Sequence, residues 1–288
     1  FGGTTPGPKG VDATLPGEKM KKSPTRKLTS WSIPVAGLFL WMGTAAQAEV
    51  PEIIARVKPS VVIVGTFNAT SSPRFSLRGT GFVAGDGNWA ITNAHVIPDG
   101  AQVDVDSKLV VQVRVESRGQ PAQSELFTRQ AAVLEVDKLH DLALLQFDGA
   151  PVPKLTLRDS DTVREGQSVA FTGFPIGGAL GFSAVTHRGM VSSITPIALP
   201  SASSQQLNAR TIASLRSGSF DIFQLDATAY PGNSGGPMFD TETGEVLGVI
   251  NMVFIKGTKE SALTNPTGIS YAIPSKYILQ LLQRRKPD

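Results

Sequence analysis

From Val61 onward the chain is a succession of short β-rich runs, each closed by turn residues: VVIVGTF, GTGFVAG, WAITNAHV, AQVDVDS, VVQVRVE, DLALLQF, SVAFTGF, GMVSSI, FDIFQLDAT, GEVLGVINMVF and ISYAIP. Many short strands at regular spacing between turn signals specify a sandwich or a barrel. Helical periodicity is clear only at residues 51–57 and 275–285, the second with Ile278, Leu281 and Leu282 on one face behind Ser275 as its cap. The expected class is therefore all-β with a C-terminal helix. Two stretches, 117–130 and 196–219, show no strand pattern and read as long loops, which are often lids or binding loops. No internal repeat is evident.

The 48 residues ahead of this pattern have a different character. Residues 1–19 are rich in Gly and Pro with no apolar periodicity, and are expected to be a disordered upstream segment. Met20 then opens a basic stretch (MKKSPTRK), an apolar run at 31–42 (WSIPVAGLFLWM) and the small residues Ala46-Gln47-Ala48. That is the pattern of a secretory signal peptide over 20–48, cut before Glu49. The apolar run falls short of the ~20 residues a membrane-spanning helix needs, so no stable anchor is expected. These residues also explain the basic balance of the chain. Six of the 27 Lys/Arg and two of the 24 Asp/Glu lie in the first 48 positions, which leaves a body of 21 basic and 22 acidic residues. A near-neutral body without a basic stripe argues against nucleic-acid binding. With no cysteine and three scattered histidines, a thiol nucleophile is excluded and no metal-ligand spacing is present.

The most chemically suggestive segment is Tyr230-Pro-Gly-Asn-Ser-Gly-Gly-Pro237. A serine among glycines sits on a loop whose backbone N–H groups can converge and which a substrate carbonyl can approach closely. The letters also satisfy Gly-x-Ser-x-Gly, the nucleophile elbow of α/β-hydrolases, in which acid and histidine follow the serine. Here His95, His140 and His187 all precede Ser234, so that reading fails on order. A serine hydroxyl needs an imidazole to take its proton and a carboxylate to hold that imidazole. His95 lies where the run WAIT ends in a polar turn, and Asp141 opens DLALL. His140 adjoins Asp141, but neighbours in an extended strand point to opposite faces, so it is not expected to pair with that carboxylate. His187 has no motif around it and reads as a solvated loop histidine. Asp137 and Asp148 flank the strand of Asp141.

The elements TNAHV, HDLALL and GNSGGP, in that order, resemble those of trypsin-like serine proteases, and most closely the protease domain of the HtrA/Deg family. The similarity runs from VKPSVVIVG through GTGFVAG and GEVLGVIN to GISYAIPS. It implies two perpendicular six-stranded β-barrels over residues 49–155 and 156–274, with 275–288 as helix and tail. It further implies a triad of His95, Asp141 and Ser234, and an oxyanion hole of the Gly232 and Ser234 N–H groups with Asn233 shaping the turn. The implied activity is a secreted or periplasmic endopeptidase acting on polypeptides through an acyl-enzyme, with no cofactor. A catalytically silent polypeptide-binding module on the same fold is the alternative. Self-association is left open, since family members often trimerise through N-terminal residues, although no trimer signature is legible.

Departures from the pattern refine these expectations. Asn233 stands where zymogen-activated relatives carry an aspartate that pairs with a new N-terminus, so that route of activation is not expected. Thr228, six residues before the nucleophile, corresponds to the floor of the primary pocket, and a neutral floor cannot pair with Lys or Arg. With Ile250, Asn251 and Met252 as wall positions, cleavage after small or medium aliphatic residues is expected. After Ser275 only a helix and Lys286-Pro-Asp remain in this sequence, so the PDZ domain that usually follows in the HtrA family is not expected here. By family position the 196–219 stretch lies near the activation and pocket loops, and is expected to gate substrate access.

Overall fold

The computed structural model describes residues 2–3, 49–98, 106–117, 120–176, 181–197, 220–252 and 268–285. Apart from Gly2 and Gly3, the disordered segment and signal peptide expected over 1–48 lie outside these residues, as do nearly all of the 196–219 stretch and most of the AQVDVDS run. By contacts the chain divides into Phe1–Ala45 and Ala46–Asp288, and the second unit carries everything that follows.

Helix α1 (Val50–Val57) leads through a tight turn into β1 (Val61–Phe67), β2 (Phe75–Val83), β3 (Trp89–Thr92), β4 (Lys108–Ser117), β5 (Gln120–Asp137) and β6 (Leu142–Phe147). These strands close an antiparallel barrel in the order β1-β2-β3-β6-β5-β4. A second antiparallel barrel follows, from β7 (Ser168–Gly173), β8 (Val185–Ile197), β9 (Phe220–Asp226), β10 (Pro237–Asp240), β11 (Val246–Asn251) and β12 (Ile269–Pro274), in the order β10-β11-β12-β9-β8-β7. Helix α2 (Ser275–Gln283) ends the described chain. The connection between barrels is pinned to each in turn, Leu155 bridging Ala84 and Leu157 bridging Val246.

Alternation along the strands sorts the apolar residues into three layers. On β1, Val62 and Val64 point into the first barrel with Val83, Val111 and Leu145, whereas Val61 and Ile63 face outward into a layer shared with the second barrel. That shared layer includes Phe82, Leu144, Phe239 and Val246, and both helices enter it, through Ile53 of α1 and Ile278 and Leu281 of α2. Phe171, Leu225, Met238 and Leu247 fill the second barrel. Burial of an aliphatic or aromatic side chain is worth roughly 1.5–3 kcal/mol, so this layer is what holds the two barrels together.

Two expectations need correction. The 117–130 stretch is not a loop: β5 pairs with β4 along its length, from Val110 opposite Gln130 to Ser117 opposite Gln120. Glu125, Phe127 and Thr128 of this arm are exposed, so it carries no hydrophobic alternation to read. Nor is Ser275 the cap of α2, which begins after Pro274 without a side-chain cap of its own. Ser160 Oγ accepts the Lys276 N–H at 3.0 Å from a distant turn, while the Ser275 hydroxyl donates to the Arg158 carbonyl. Among the described residues, no helix is long and apolar enough to cross a membrane.

Candidate active site

β3 and β6 are paired neighbours, Thr92 opposite Ala143, so the residues just past the end of one and just before the start of the other meet at the same rim. His95 sits there in a single 3-10 turn, Ala94–Val96. Asp141 ends a turn with φ of 50°, a left-handed conformation that Asp tolerates better than most residues. Its carbonyl accepts the Ala94 N–H at 3.1 Å and the Asn93 amide at 3.1 Å, which locks the two turns together. The Asp141 carboxylate then grips His95 twice: Oδ1 accepts its backbone N–H at 2.9 Å and Oδ2 lies 2.6 Å from Nδ1. A proton on Nδ1 satisfies that contact and leaves Nε2 as the basic nitrogen.

Asp141 Oδ2 also accepts the Asn251 side-chain amide at 2.7 Å. Asn251 was expected in the pocket wall, but it is fully buried behind the carboxylate and brings a donor from the second barrel to an acid on the first. Nothing local in the sequence marks this role, because it depends on where β11 ends relative to β6. Ile250 is fully buried in the core of the second barrel, and Met252 is partly buried against that core. Thr228 is half-buried beyond the end of β9. On either side of it, the Ser270 hydroxyl accepts the Ala229 N–H at 2.8 Å and donates to the Ala227 carbonyl at 2.7 Å, which fixes the backbone around Thr228.

Ser234 lies between β9 and β10, almost wholly buried, with Oγ accepting the Met252 N–H at 3.3 Å; no hydrogen bond joins it to His95. The turn before it is defined. Asn233 N–H bonds to the Tyr230 carbonyl at 2.9 Å, and Gly232 has φ of 102°. Pro at the second position and Gly with positive φ at the third make this a type II turn. Glycine is required at 232 for a second reason: a Cβ there would lie 2.2 Å from the Phe174 carbonyl oxygen. The Pro231 carbonyl accepts the Ile176 N–H at 2.7 Å, and in a trans peptide the Gly232 N–H must point the opposite way. The N–H groups of Gly232 and Ser234 have no partner among the described residues. Asn233 is fully buried with both side-chain heteroatoms unpaired.

His140 does not pair with Asp141, as expected, but both of the other histidines stand in surroundings other than those the sequence implied. His140 is not in a strand, since β6 begins at Leu142; it lies in the turn before it and pairs with Asp137, Nδ1 to Oδ2 at 2.9 Å. Its ring stacks on Tyr277 of α2 with centroids 3.9 Å apart. His187 is not a solvated loop residue either. It lies on β8 with its ring stacked on Phe171 at 4.9 Å and its Nε2 buried and unpaired, and burial pushes its pKa down. Asp148 is exposed past the far end of β6.

A family profile, the trypsin-like peptidase domain, matches residues 79–249. A protein of Marinomonas sp. (strain MWYL1), a probable periplasmic serine endoprotease DegP-like, is 31% identical over 73% of this chain and 36% of its own length. Serine protease HTRA1B of Danio rerio is 28% identical over 81% of this chain and 40% of its own. The chain thus spans less than half the length of these curated relatives. Among solved structures, the HtrA-type protease AlgW with a decapeptide superposes with a TM-score of 0.56 at 23% identity, covering 82% of this chain and 67% of that one.

Proposed function

This chain belongs to the trypsin-like peptidase family, and on that footing we propose that it is an exported serine endopeptidase whose nucleophile is Ser234, with His95 as base and Asp141 as the acid that orients it. The observation that carries the reading is the His95 Nδ1 to Asp141 Oδ2 contact of 2.6 Å, on a ring whose side chain stays about one-third exposed (32%) at the cleft. A carboxylate on Nδ1 holds the tautomer in which Nε2 can take a proton, and stabilises the imidazolium that results.

In the proposed cycle the Ser234 oxygen attacks a peptide carbonyl as its proton passes to His95 Nε2. The negative charge on the former carbonyl oxygen is met by the N–H groups of Gly232 and Ser234. His95 gives the proton to the departing amine, the C–N bond breaks, and an ester to Ser234 remains. Water, deprotonated by His95, attacks that ester; the proton returns to Ser234 and the carboxylic acid leaves. Thr228 and the neighbouring Ala229 offer no charge to a basic side chain, so residues such as Val or Ala are the expected occupants before the cut. The basic stretch, apolar run and Ala46-Gln47-Ala48 of the leader support export, as do the relatives named periplasmic endoproteases.

Turnover of casein and of chromogenic peptides ending in Val or Ala tests this reading, alongside labelling by a fluorophosphonate. Wild type should turn over and be labelled while Ser234→Ala does neither. Equal labelling of the two proteins refutes Ser234 as nucleophile, and an unlabelled wild type that still binds casein is the result expected of a silent binding module.

A further inference from the structure

The oxyanion turn belongs to the second barrel, yet one of the groups that fixes it comes from the first. Thr80 lies in β2, fully buried, and every polar group it has is committed around the nucleophile. Its backbone N–H donates to the Ser234 carbonyl at 2.8 Å, and its own carbonyl accepts the Thr92 hydroxyl at 2.7 Å. Its hydroxyl donates to the Gly232 carbonyl at 2.6 Å and accepts the Phe174 N–H at 3.1 Å. The space is tight on each side: a Cβ on Gly235 would lie 2.0 Å from the Thr80 carbonyl oxygen, and one on Gly173 3.0 Å from Thr80 Oγ1.

We propose that Thr80 is the positioning residue of the oxyanion turn, its hydroxyl tying the 174–176 segment to the Gly232 carbonyl. Two of the carbonyls that flank the free N–H groups, those of Gly232 and Ser234, are held by this one residue. A third, that of Pro231, is held by Ile176, which sits two residues from the Phe174 N–H that Thr80 accepts. A peptide C=O and the N–H of the following residue point in opposite directions, so the hold on the Pro231 carbonyl aims the Gly232 N–H, while the Thr80 contacts fix the neighbouring peptides that carry the Asn233 and Gly235 N–H groups, and with them the backbone on which both donors stand. Ile176 has φ of 60°, unusual for a β-branched residue, so the segment needs its anchors to keep that conformation. A threonine or serine hydroxyl can donate and accept at once, whereas valine, of the same shape, can do neither.

The inference rests on Ser234 and its turn being the reaction centre, and the experiment separates the two. Full-chain wild type, Thr80→Ser and Thr80→Val are compared on chromogenic aliphatic peptides. The expected result is a kcat for Thr80→Val lower by ~10–100-fold with KM within about twofold, and near-complete rescue in Thr80→Ser, because an oxyanion donor acts on the transition state more than on the bound substrate. A Thr80→Val kcat within about twofold of Thr80→Ser overturns the assignment. A wild type that neither turns over peptide nor reacts with a fluorophosphonate overturns the endopeptidase reading instead. In that event the Gly232 amide resonance of glycine-labelled protein still decides on Thr80: it should match wild type in Thr80→Ser and shift in Thr80→Val, and coincidence in all three refutes the proposal. Should Thr80→Val not fold, a slowly exchanging Thr80 hydroxyl proton close to the Phe174 amide is expected in wild type, and its absence counts as refutation.

Discussion

Replacing Asp137 by alanine should unfold this protein far more readily than a single carboxylate outside the proposed triad would ordinarily warrant. Asp137 is nearly fully buried at the start of the turn that presents Asp141. Its Oδ1 accepts the N–H groups of Leu139 and His140, each at 3.1 Å; its Oδ2 accepts His140 Nδ1 at 2.9 Å and Arg284 at 3.2 Å. His140 is itself buried between Tyr277 and Phe220, so the carboxylate fastens a turn of the first barrel to α2 and to the start of β9. Alanine strands two turn N–H groups and a buried imidazole at once. Removing one partner of a buried pair costs about 3–5 kcal/mol, and at ~2–4 °C per kcal/mol for a body of this size the melting midpoint should fall by roughly 6–20 °C. Asp137→Asn keeps an oxygen for the two backbone donors and should lose roughly 1–2 kcal/mol. Urea unfolding followed by circular dichroism measures both. An alanine variant within about 1 kcal/mol of wild type would refute the claim that this carboxylate is structural.

The same site sets a pH dependence. Burial alone would push the Asp137 pKa up, but the His140 ring, the His140 backbone N–H, and the His140 and Arg284 charges together hold it below the ordinary carboxylate value. A pKa lowered in the folded state contributes stability that is present above the unfolded value of ~3.9 and is lost as pH falls through the folded one. The wild-type advantage over Asp137→Asn should therefore be constant above about pH 5 and shrink below about pH 4.

Asn251→Ala removes the 2.7 Å amide contact to Asp141 Oδ2, a hydrogen bond to a charged group worth about 1.5–3 kcal/mol, so kcat should fall roughly 10- to 100-fold with little change in KM; steady-state kinetics on an aliphatic peptide decide it. Asn233→Asp puts a carboxylate into a fully buried position with no hydrogen-bond partner, and should cost about 3 kcal/mol or more in urea unfolding at pH 7.

What could be read from the sequence was what depends on neighbours in the chain. The apolar runs in VVIVGTF and LALLQF mark strands because burial on both faces is written into consecutive residues. The Pro-Gly pair before Asn233 marks the turn because proline presets the second position and glycine suits the positive φ of the third. What escaped depends on register and on distant segments. Thr80 sits in a run, GTGFVAG, that reads only as strand, and the role proposed for it depends on β2 passing the Gly232 turn 152 residues away. Asn251 ends GEVLGVIN and is turned toward Asp141 by the packing of one barrel on the other. His140 keeps clear of Asp141 as expected, but for another reason: a turn with φ of 50° at Asp141, in place of the extended backbone that the apolar run DLALL implied, sends its ring to Asp137.

Asn251 and Thr80 together say something about how such a site is held. The first barrel carries His95 and Asp141, but the amide behind the acid comes from the second. The second barrel carries Ser234 and its turn, but the hydroxyl beneath the turn comes from the first. Each half of the proposed machinery is thus completed by a donor from the opposite barrel, and the two donors cross the cleft in opposite directions. Neither barrel's interior would register a small slip of one against the other, because Val62, Val64 and Leu145 on one side and Phe171, Leu225 and Met238 on the other pack within their own sheets. The shared layer would register it, and with it both crossing hydrogen bonds, whose strength falls steeply once distance or angle departs from the ideal. Residues of that layer far from Ser234, such as Ile278 and Leu281 on α2, therefore bear on the geometry of the proposed site as well as on stability.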